Sequence, residues 1–402
     1  MPWDPTYQPV LRPVEAFRWD SQDGDAVGLR DVTGLSEVVL SMSEPVLVAL
    51  SMMDGTSTCQ QIQQHFQEET GQPLSNDTFQ SLINHLQEAH FLEGPDFEAH
   101  YQTLVDNYRA QDARQMHSAA SLGIDDTGQV FKDMLTTPTG EVASIKVRGI
   151  VAPHLDYPRG KPCYTAAYSA LSRRVAPDRV IILGTNHFGR SQSVVATGKA
   201  FQTPLGRTPT DTKFLDRIEK KCGSLRTYEL DHAQEHSVEL QVAWLQFLYG
   251  ADTFEMVPFL CPDPTAQMCH DHDGDEWVEL TDFAQVLRDE LELDAADTLI
   301  VAGADMSHVG AAFGDENQLT EEFLASVERK DRESLENLLA GHSETFVHTV
   351  AQDGNHTRVC SAGCMSVISR VLKDAQVSLL GYHQAVDQST QTCVTCSALL
   401  FV

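Results

Sequence analysis

Three runs of β-branched and aliphatic residues punctuate this chain, and each is followed by a histidine. The clearest lies within Arg179 to Gly189. Val180-Ile181-Ile182-Leu183 is apolar at every position, which predicts a strand buried on both faces, as in the interior of a parallel sheet. Gly184 ends that run, and the chain passes on to Asn186 and His187. Val147 to Ala152 leads in the same way to Pro153 and His154, and Thr298 to Ala304 leads to Asp305 and His308. In open α/β sheets ligands bind in the crevice beyond the carboxyl ends of the strands. Three strands that each deliver a histidine to that edge predict one shared site.

Elsewhere the pattern alternates between periods. Helices are predicted around Pro162 to Arg174, from His236 to Tyr249 and, in acidic form, between Thr320 and Gln352. Strands are predicted at Phe254 to Leu260 and Thr298 to Ala304, with closing strands at Val377 to Gly381 and Val394 to Val402. Such alternation predicts an α/β fold. Residues 1–95 read as a small separate α+β domain. Val38-Val39-Leu40 and Pro45-Val46-Leu47-Val48 are strand-like, and two amphipathic helices follow. The second puts Phe79, Leu82, Ile83 and Leu86 on one face, with Asn76 or Asp77 as its cap and its end near His90. The spacing of Tyr101, Leu104, Val105 and Tyr108 predicts a connecting helix within residues 96–116. Gln111 to Glu141 is polar and weakly periodic, which sets the boundary there and leaves residues 117–402 as the α/β domain.

At 402 residues and 42% hydrophobic, the chain is long enough for two domains and a large core. The formal net charge of -30, from 58 acidic and 28 basic residues, disfavours nucleic acid and anionic membrane as partners. No apolar run approaches the ~18 residues of a membrane span, and the first residues lack the features of a secretory signal, so a cytoplasmic protein is expected. Nine cysteines, odd in number and spread along the chain, are expected as reduced thiols.

Six motifs occur in order: APHLDY (152–157), ILGTNHFG (182–189), TPLG (203–206), EHSVELQ (235–241), ADMSHVG (304–310) and VCSAGC (359–364). Together they resemble the Memo family, known in prokaryotes as AmmeMemoRadiSam system protein B, over residues 117–402. The resemblance implies an αβα sandwich related to the class III extradiol dioxygenases, with a metal-binding pocket. It assigns His154, His187 and Cys360 to the metal and Asp305 and His308 to positions beside it. Tyr157, Asn186 and His236 are the expected pocket residues. The chain departs from the family at Leu155 and Asp156, where small residues are usual, at Phe188 in place of a second histidine, and at Cys364 in place of a proline. The family's N-terminal small-residue and aromatic motif is barely visible in Ser118 to Ile124. These changes bear on substrate choice more than on metal binding. Ahead of this region, LRPVEAF, LSMMDGTSTCQQIQQHF and LSNDTFQSLINHLQEAHFLEG resemble the small winged-helix-like domains typified by the peptide chaperone PqqD. That resemblance implies a peptide- or protein-recognition module, with a radical-SAM enzyme or another protein as its partner; a packing or dimerisation accessory is the other reading.

Two neutral imidazoles and a thiolate make a donor set of mixed softness, suited to iron or copper and also to zinc. Three protein ligands leave positions for a small organic or peptide substrate or for dioxygen. Asp305 and His308 would orient a ligand or move protons, and with Cys360 they are the catalytic candidates. Cys360 precedes Ser361-Ala362-Gly363 and an apolar-periodic helix through Val367, Ile368, Val371 and Leu372, so a helix N-terminus would favour its thiolate. Cys364 reads as structural. His236 begins a helix with Val238, Val242 and Leu245 on one face. The first functional reading is a metal-dependent oxidoreductase with a dioxygenase-like pocket. A non-catalytic peptide- or ligand-binding protein and a metal-free cysteine-histidine hydrolase are the alternatives. Cys393 and Cys396, at i and i+3 of a strand, point to opposite faces, which argues against a redox pair. Asp271 to Glu276 misplaces the glycine of a calcium loop and lacks its terminal glutamate. No Walker loop, dinucleotide fingerprint or Gly-x-Ser-x-Gly elbow occurs.

Overall fold

In the computed structural model, which describes residues 3–21, 24–135, 146–267, 278–316 and 318–402, the chain divides into two units, Met1–Gln111 and Asp112–Val402. The first unit opens on an antiparallel sheet of β1 (Val14–Ser21), β2 (Gly24–Asp31) and β3 (Val39–Ser43), in that order. Helices α1 (Val46–Leu50), α2 (Cys59–Thr70), α3 (Asn76–Glu88) and α4 (Pro95–Ala110) follow. The strand expected at Pro45 to Val48 is therefore a helix. Its valines favour extended backbone, but Pro45 at the N-cap already has a helical φ of -57°, and the turn carries Ala49 and Leu50 into the core. Ser75, rather than Asn76 or Asp77, caps α3 by accepting from the Thr78 amide at 3.1 Å. Ile62, Phe66, Phe79, Ile83 and Leu86 build the core. The helix expected as a connector packs within this unit: Arg12 lies 3.8 Å over the Phe97 ring of α4 while donating to Asp31 at 3.1 Å and to the His90 carbonyl at 2.8 Å.

The second unit contains strands β4 (Ala113–Gln115), β5 (Gly149–Ala152), β6 (Arg179–Thr185), β7 (Val195–Ala196), β8 (Ala200–Thr203) and β9 (Gly206–Thr208). It continues with β10 (Glu255–Cys261), β11 (Thr298–Gly303), β12 (Asp305–Gly310), β13 (Val377–Asp387) and β14 (Thr392–Phe401). Its helices are α5 (Gln129–Lys132), α6 (Tyr157–Leu171), α7 (Thr212–Cys222), α8 (His236–Tyr249) and α9 (Pro264–Gln267). The last four are α10 (Leu280–Leu293), α11 (Glu321–Leu339), α12 (Ser343–Ala351) and α13 (Ala362–Val371).

The main sheet runs β12-β14-β5-β11-β6-β10-β7, with β13 on the other edge of β14. β5, β11, β6 and β10 are parallel, so their carboxyl ends share one edge. The consecutive apolar residues of β6 serve two layers. Ile181 and Leu183 belong to a core with Phe214 of α7, Phe283 of α10, Phe346 of α12 and Met365 of α13. Val180 and Ile182 belong to the opposite core, with Tyr164 and Tyr168 of α6 and Trp244 of α8. Helices therefore cover both faces, as a strand apolar at every position requires.

The first two turns of α8 tie three strand ends together. The Ser237 hydroxyl accepts from the Thr185 amide at 3.0 Å and donates to the Thr185 carbonyl at 3.2 Å. Gln241 Nε2 donates to the Pro153 carbonyl at 2.7 Å. This approach needs glycine at two strand ends: a Cβ on Gly184 would stand 2.5 Å from Ser237 Oγ, and one on Gly303 would collide with the Ser237 carbonyl oxygen.

Among the described residues no helix is long and apolar enough to cross a membrane, and eight cysteines are free thiols. The acidic segment Asp271 to Glu276 lies outside the described residues. Gly303→Ala is expected to push α8 off the strand ends and to destabilise the second unit by about 1–3 kcal/mol, the usual cost of overpacking. Urea unfolding checks this, and an unchanged midpoint would mean that the helix is not held by that contact.

Candidate metal centre

β5 and β6 end at the same edge of the sheet, and each is followed two residues later by a histidine, His154 and His187. A third, His236, is the first residue of α8. Candidate ligand atoms of these three imidazoles lie within 4.8 Å of one another, and such a group can hold a metal ion. The His187 and His236 rings stack with centroids 5.0 Å apart, and His154 stands edge-on to them at 4.7 and 5.4 Å.

The hydrogen bonds say which nitrogens are free. His154 is buried, with Nδ1 2.9 Å from the Gly303 carbonyl oxygen. A carbonyl only accepts, so Nδ1 carries the hydrogen and Nε2 keeps its lone pair. His187 Nδ1 lies 3.1 Å from both oxygens of Glu235, which accept its hydrogen, so Nε2 is the nitrogen left to bind once its own proton is lost. Cys360 Sγ lies 3.4 Å from His154 Nε2, which brings a soft donor to the three imidazoles across 206 positions of chain. The loop before Cys360 holds Asn355 and Arg358 at φ 52° and 56°, conformations that non-glycine residues rarely adopt. The Asn355 side chain stabilises it by accepting from the Val359 amide at 2.8 Å and donating to the Val359 carbonyl at 3.1 Å.

Asp305 sits directly beneath this group. Its Oδ1 accepts from the His154 amide at 3.2 Å, and Oδ2 is 3.5 Å from His154 Nε2. Burial pushes its pKa up to about 7, against the pull of the His154 and Leu155 amides. Between Asp305 and His308 the pairing of β12 with β14 is irregular, which re-aims side chains that a regular strand would send to opposite faces. His308 Nδ1 lies 3.1 Å from the carbonyls of Met306 and Arg358, and burial, reinforced by the charge of His187, lowers its pKa to about 4. Burial and the neighbouring imidazoles hold His154 well below the ordinary histidine range. Burial also works against charge on His187, but the Glu235 carboxylate and the Cys360 contact outweigh it, and its pKa is raised well above that range.

Two expected pocket residues turn elsewhere. The Tyr157 hydroxyl donates to the Leu240 carbonyl at 2.8 Å and its ring meets Phe131 at 5.2 Å, inside the core of α6 and α8. As the first residue of α6 it faces that core rather than the crevice. Asn186 shapes the loop after β6, donating to Asp231 at 3.0 Å and accepting from the Gly189 amide at 3.1 Å. Two further residues build the site with little sequence signal of that role. Glu235 was visible only as the acid preceding a helix in EHSVELQ. Ser361 stands out in the sequence only as part of VCSAGC and the lead into a helix, yet its hydroxyl accepts from the Asp305 amide at 3.0 Å and lies 3.1 Å from Thr185 Oγ1, joining the start of α13 to two strand ends.

Residues 114–400 match the sequence family described as Memo-like protein. A MEMO1 family protein of Aquifex aeolicus is 26% identical over 392 residues, covering 94% of this chain and 96% of its own length. One from Methanopyrus kandleri is 31% identical over 245 residues, 60% of this chain and 77% of its own. A crystal structure of an uncharacterized protein from Escherichia coli K12 covers 63% of this chain and 99% of its own at 12% identity, with a TM-score of 0.36.

Cys360 is half-buried, whereas Cys364 is fully enclosed and burial, with the neighbouring Cys360, pushes its pKa up to about 12. Iodoacetamide is therefore expected to label Cys360 in metal-free protein while leaving Cys364 untouched. Peptide mass mapping reads this directly, and equal labelling would contradict the difference in setting.

Proposed function

The chain belongs to the Memo family, and from that membership and the geometry of its histidines we propose that it is a metal-dependent oxidoreductase with a dioxygenase-like pocket. The observation that carries the reading is the convergence of three imidazoles, His154 with Nε2 left free by the hydrogen bond at Nδ1 and His187 and His236 within 4.8 Å of it, with a thiol 3.4 Å from His154 Nε2. In this reading His154, His187 and Cys360 hold the metal and His236 offers a further nitrogen. Imidazole and thiolate donors together suit iron or copper; zinc takes the same donors but has no redox chemistry of its own. A redox metal bound there would supply electron transfer with an organic substrate or dioxygen.

The chain's own residues would manage orientation and protons. Asp305, with a pKa of about 7, can hold or release a proton near neutrality from a buried position 3.5 Å from His154 Nε2. His308, lowered to about 4, stays neutral and can accept one at Nε2, because Nδ1 faces two carbonyls. Phe188, exposed and 5.8 Å from the His187 ring, offers an apolar surface beside the group.

For the first unit we infer a recognition role of the winged-helix, PqqD-like kind, serving a peptide substrate or a protein partner such as a radical-SAM enzyme. β3 is an edge strand, and beside it a groove of about 670 Å³ is lined by Leu40, Met42, Val46 and Leu82. An extended peptide could pair with the free backbone of β3 and place alternate side chains in that groove. A cytoplasmic location belongs to the same proposal.

Two measurements test these readings. Calorimetric titration with iron(II), copper(I) or zinc(II) should give one equivalent bound, with a large loss of affinity in Cys360→Ser and little change in Cys364→Ser. Because the pKa of His187 is raised, protons compete for its Nε2 from above neutrality downward, and affinity should fall roughly tenfold per pH unit for each competing proton. His154 stays neutral and adds nothing to that slope in mild acid. Affinity independent of pH, or full binding by Cys360→Ser, would sink the ligand set. For the first unit, peptides selected from a display library on the full chain should lose binding to Leu82→Asp. Binders indifferent to that change would place recognition elsewhere.

A further inference from the structure

Glu235 is buried at 3% exposure, and its ion-pair contacts among the described residues are with imidazoles alone. Its carboxylate accepts from the His187 amide at 3.1 Å, from His187 Nδ1 at 3.1 Å and from the Ser237 amide at 2.8 Å. Oε1 also lies 3.5 Å from His236 Nδ1. As the N-cap of α8 it fixes where that helix begins, and His236 is the first residue of the helix. One carboxylate thus connects the loop after β6, which carries His187, to the helix end that carries His236.

We propose that Glu235 is a positioning residue of the metal centre: it fixes the tautomer and ring plane of His187 and the placement of His236, and so sets the affinity and symmetry of the bound ion. The inference rests on the metal-site reading above. An ionised carboxylate has no hydrogen to give, so the nitrogen facing it carries the proton and the opposite nitrogen is left to bind. Accepting that N–H also makes the ligating nitrogen a stronger donor. Arg114 donates to the main-chain carbonyl of Glu235 at 2.8 Å but pairs with the Glu239 carboxylate, and burying a carboxylate whose ion pairs among the described residues are with imidazoles alone is unfavourable unless its hydrogen bonds are complete. Here its two oxygens satisfy two amides and one ring N–H, so its cost is offset by contacts that all act on the ligand-bearing segments. A neutral amide at this position keeps the shape and can still accept from Ser237, but it loses the charge and cannot turn an acceptor to every donor.

Cobalt(II) binding to the full chain, measured by chelator competition and visible absorption, separates the possibilities. Glu235→Gln is expected to bind cobalt roughly 10- to 100-fold more weakly and with altered d–d bands, while its far-ultraviolet circular dichroism stays close to that of the wild type and its metal-free unfolding midpoint falls because the buried pair with His187 is lost. Equal affinity and an identical cobalt spectrum in both proteins would overturn the inference and leave the metal site standing. Failure of the wild type to bind cobalt at all would overturn the site and this inference with it. Should Glu235→Gln fail to fold, nitrogen-15 spectra of zinc-loaded wild type decide instead. They should show His187 protonated at Nδ1, and a proton at Nε2 or zinc at Nδ1 would overturn the role given to Glu235.

Discussion

The amino end of α8 rests so closely on β6 and β11 that neither strand can carry a side chain where they meet. A Cβ at Gly184 would stand 2.5 Å from Ser237 Oγ, and one at Gly303 would collide with the Ser237 carbonyl. The rest of the centre depends on that seating. It lets Ser237 hydrogen-bond to both backbone groups of Thr185, lets Gln241 reach the Pro153 carbonyl, and brings His236 and Glu235 to the edge where His154 and His187 emerge. Gly303 serves twice, since its carbonyl also receives His154 Nδ1 at 2.9 Å. Small residues here are a packing requirement that has become a requirement of the site.

Within one crevice two buried carboxylates take opposite characters. Glu235 is depressed well below the ordinary range: burial alone would raise it, but the His187 charge and its hydrogen bonds prevail. Asp305 lies under a neutral His154, and burial prevails there, pushing it up to about 7. Partners rather than residue type decide which carboxylate stays charged and which can carry a proton. The positions expected to depart from the family pattern fall mostly outside the donors. Leu155 packs with Ala385 and Val394, Asp156 caps α6 through the Arg159 amide at 3.0 Å, and Cys364 is enclosed beneath Thr185. Phe188 alone among them is exposed beside an imidazole, so it is the departure best placed to affect what enters.

The second unit was legible in outline because strands buried on both faces are apolar at consecutive positions and helices buried on one face are not. β6 and α8 were readable to within a residue or two on that ground, and the histidines after β5 and β6 could be assigned to one edge because parallel strands share it. Where burial is partial the signal weakens. β1 and β2 form a hairpin with charged residues interleaved along it, and α1 hides behind valines that favour a strand. His308 and Asp305, three positions apart, reach the same electrostatic neighbourhood only through the irregularity in β12.

By itself, then, the sequence determined which segments are buried, where they stop, and that histidines, an aspartate and a cysteine lie at those stops, because burial and termination are local properties written in spacing and in glycine. Tertiary structure decided the partnerships. That Glu235 holds His187 across 48 positions, that Cys360 meets His154 across 206, that Tyr157 turns into the core and that Asn186 braces a loop instead of facing the imidazoles all depend on which helix is seated on which strand end. Periodicity records how much of a side chain is covered, and it carries no record of what covers it.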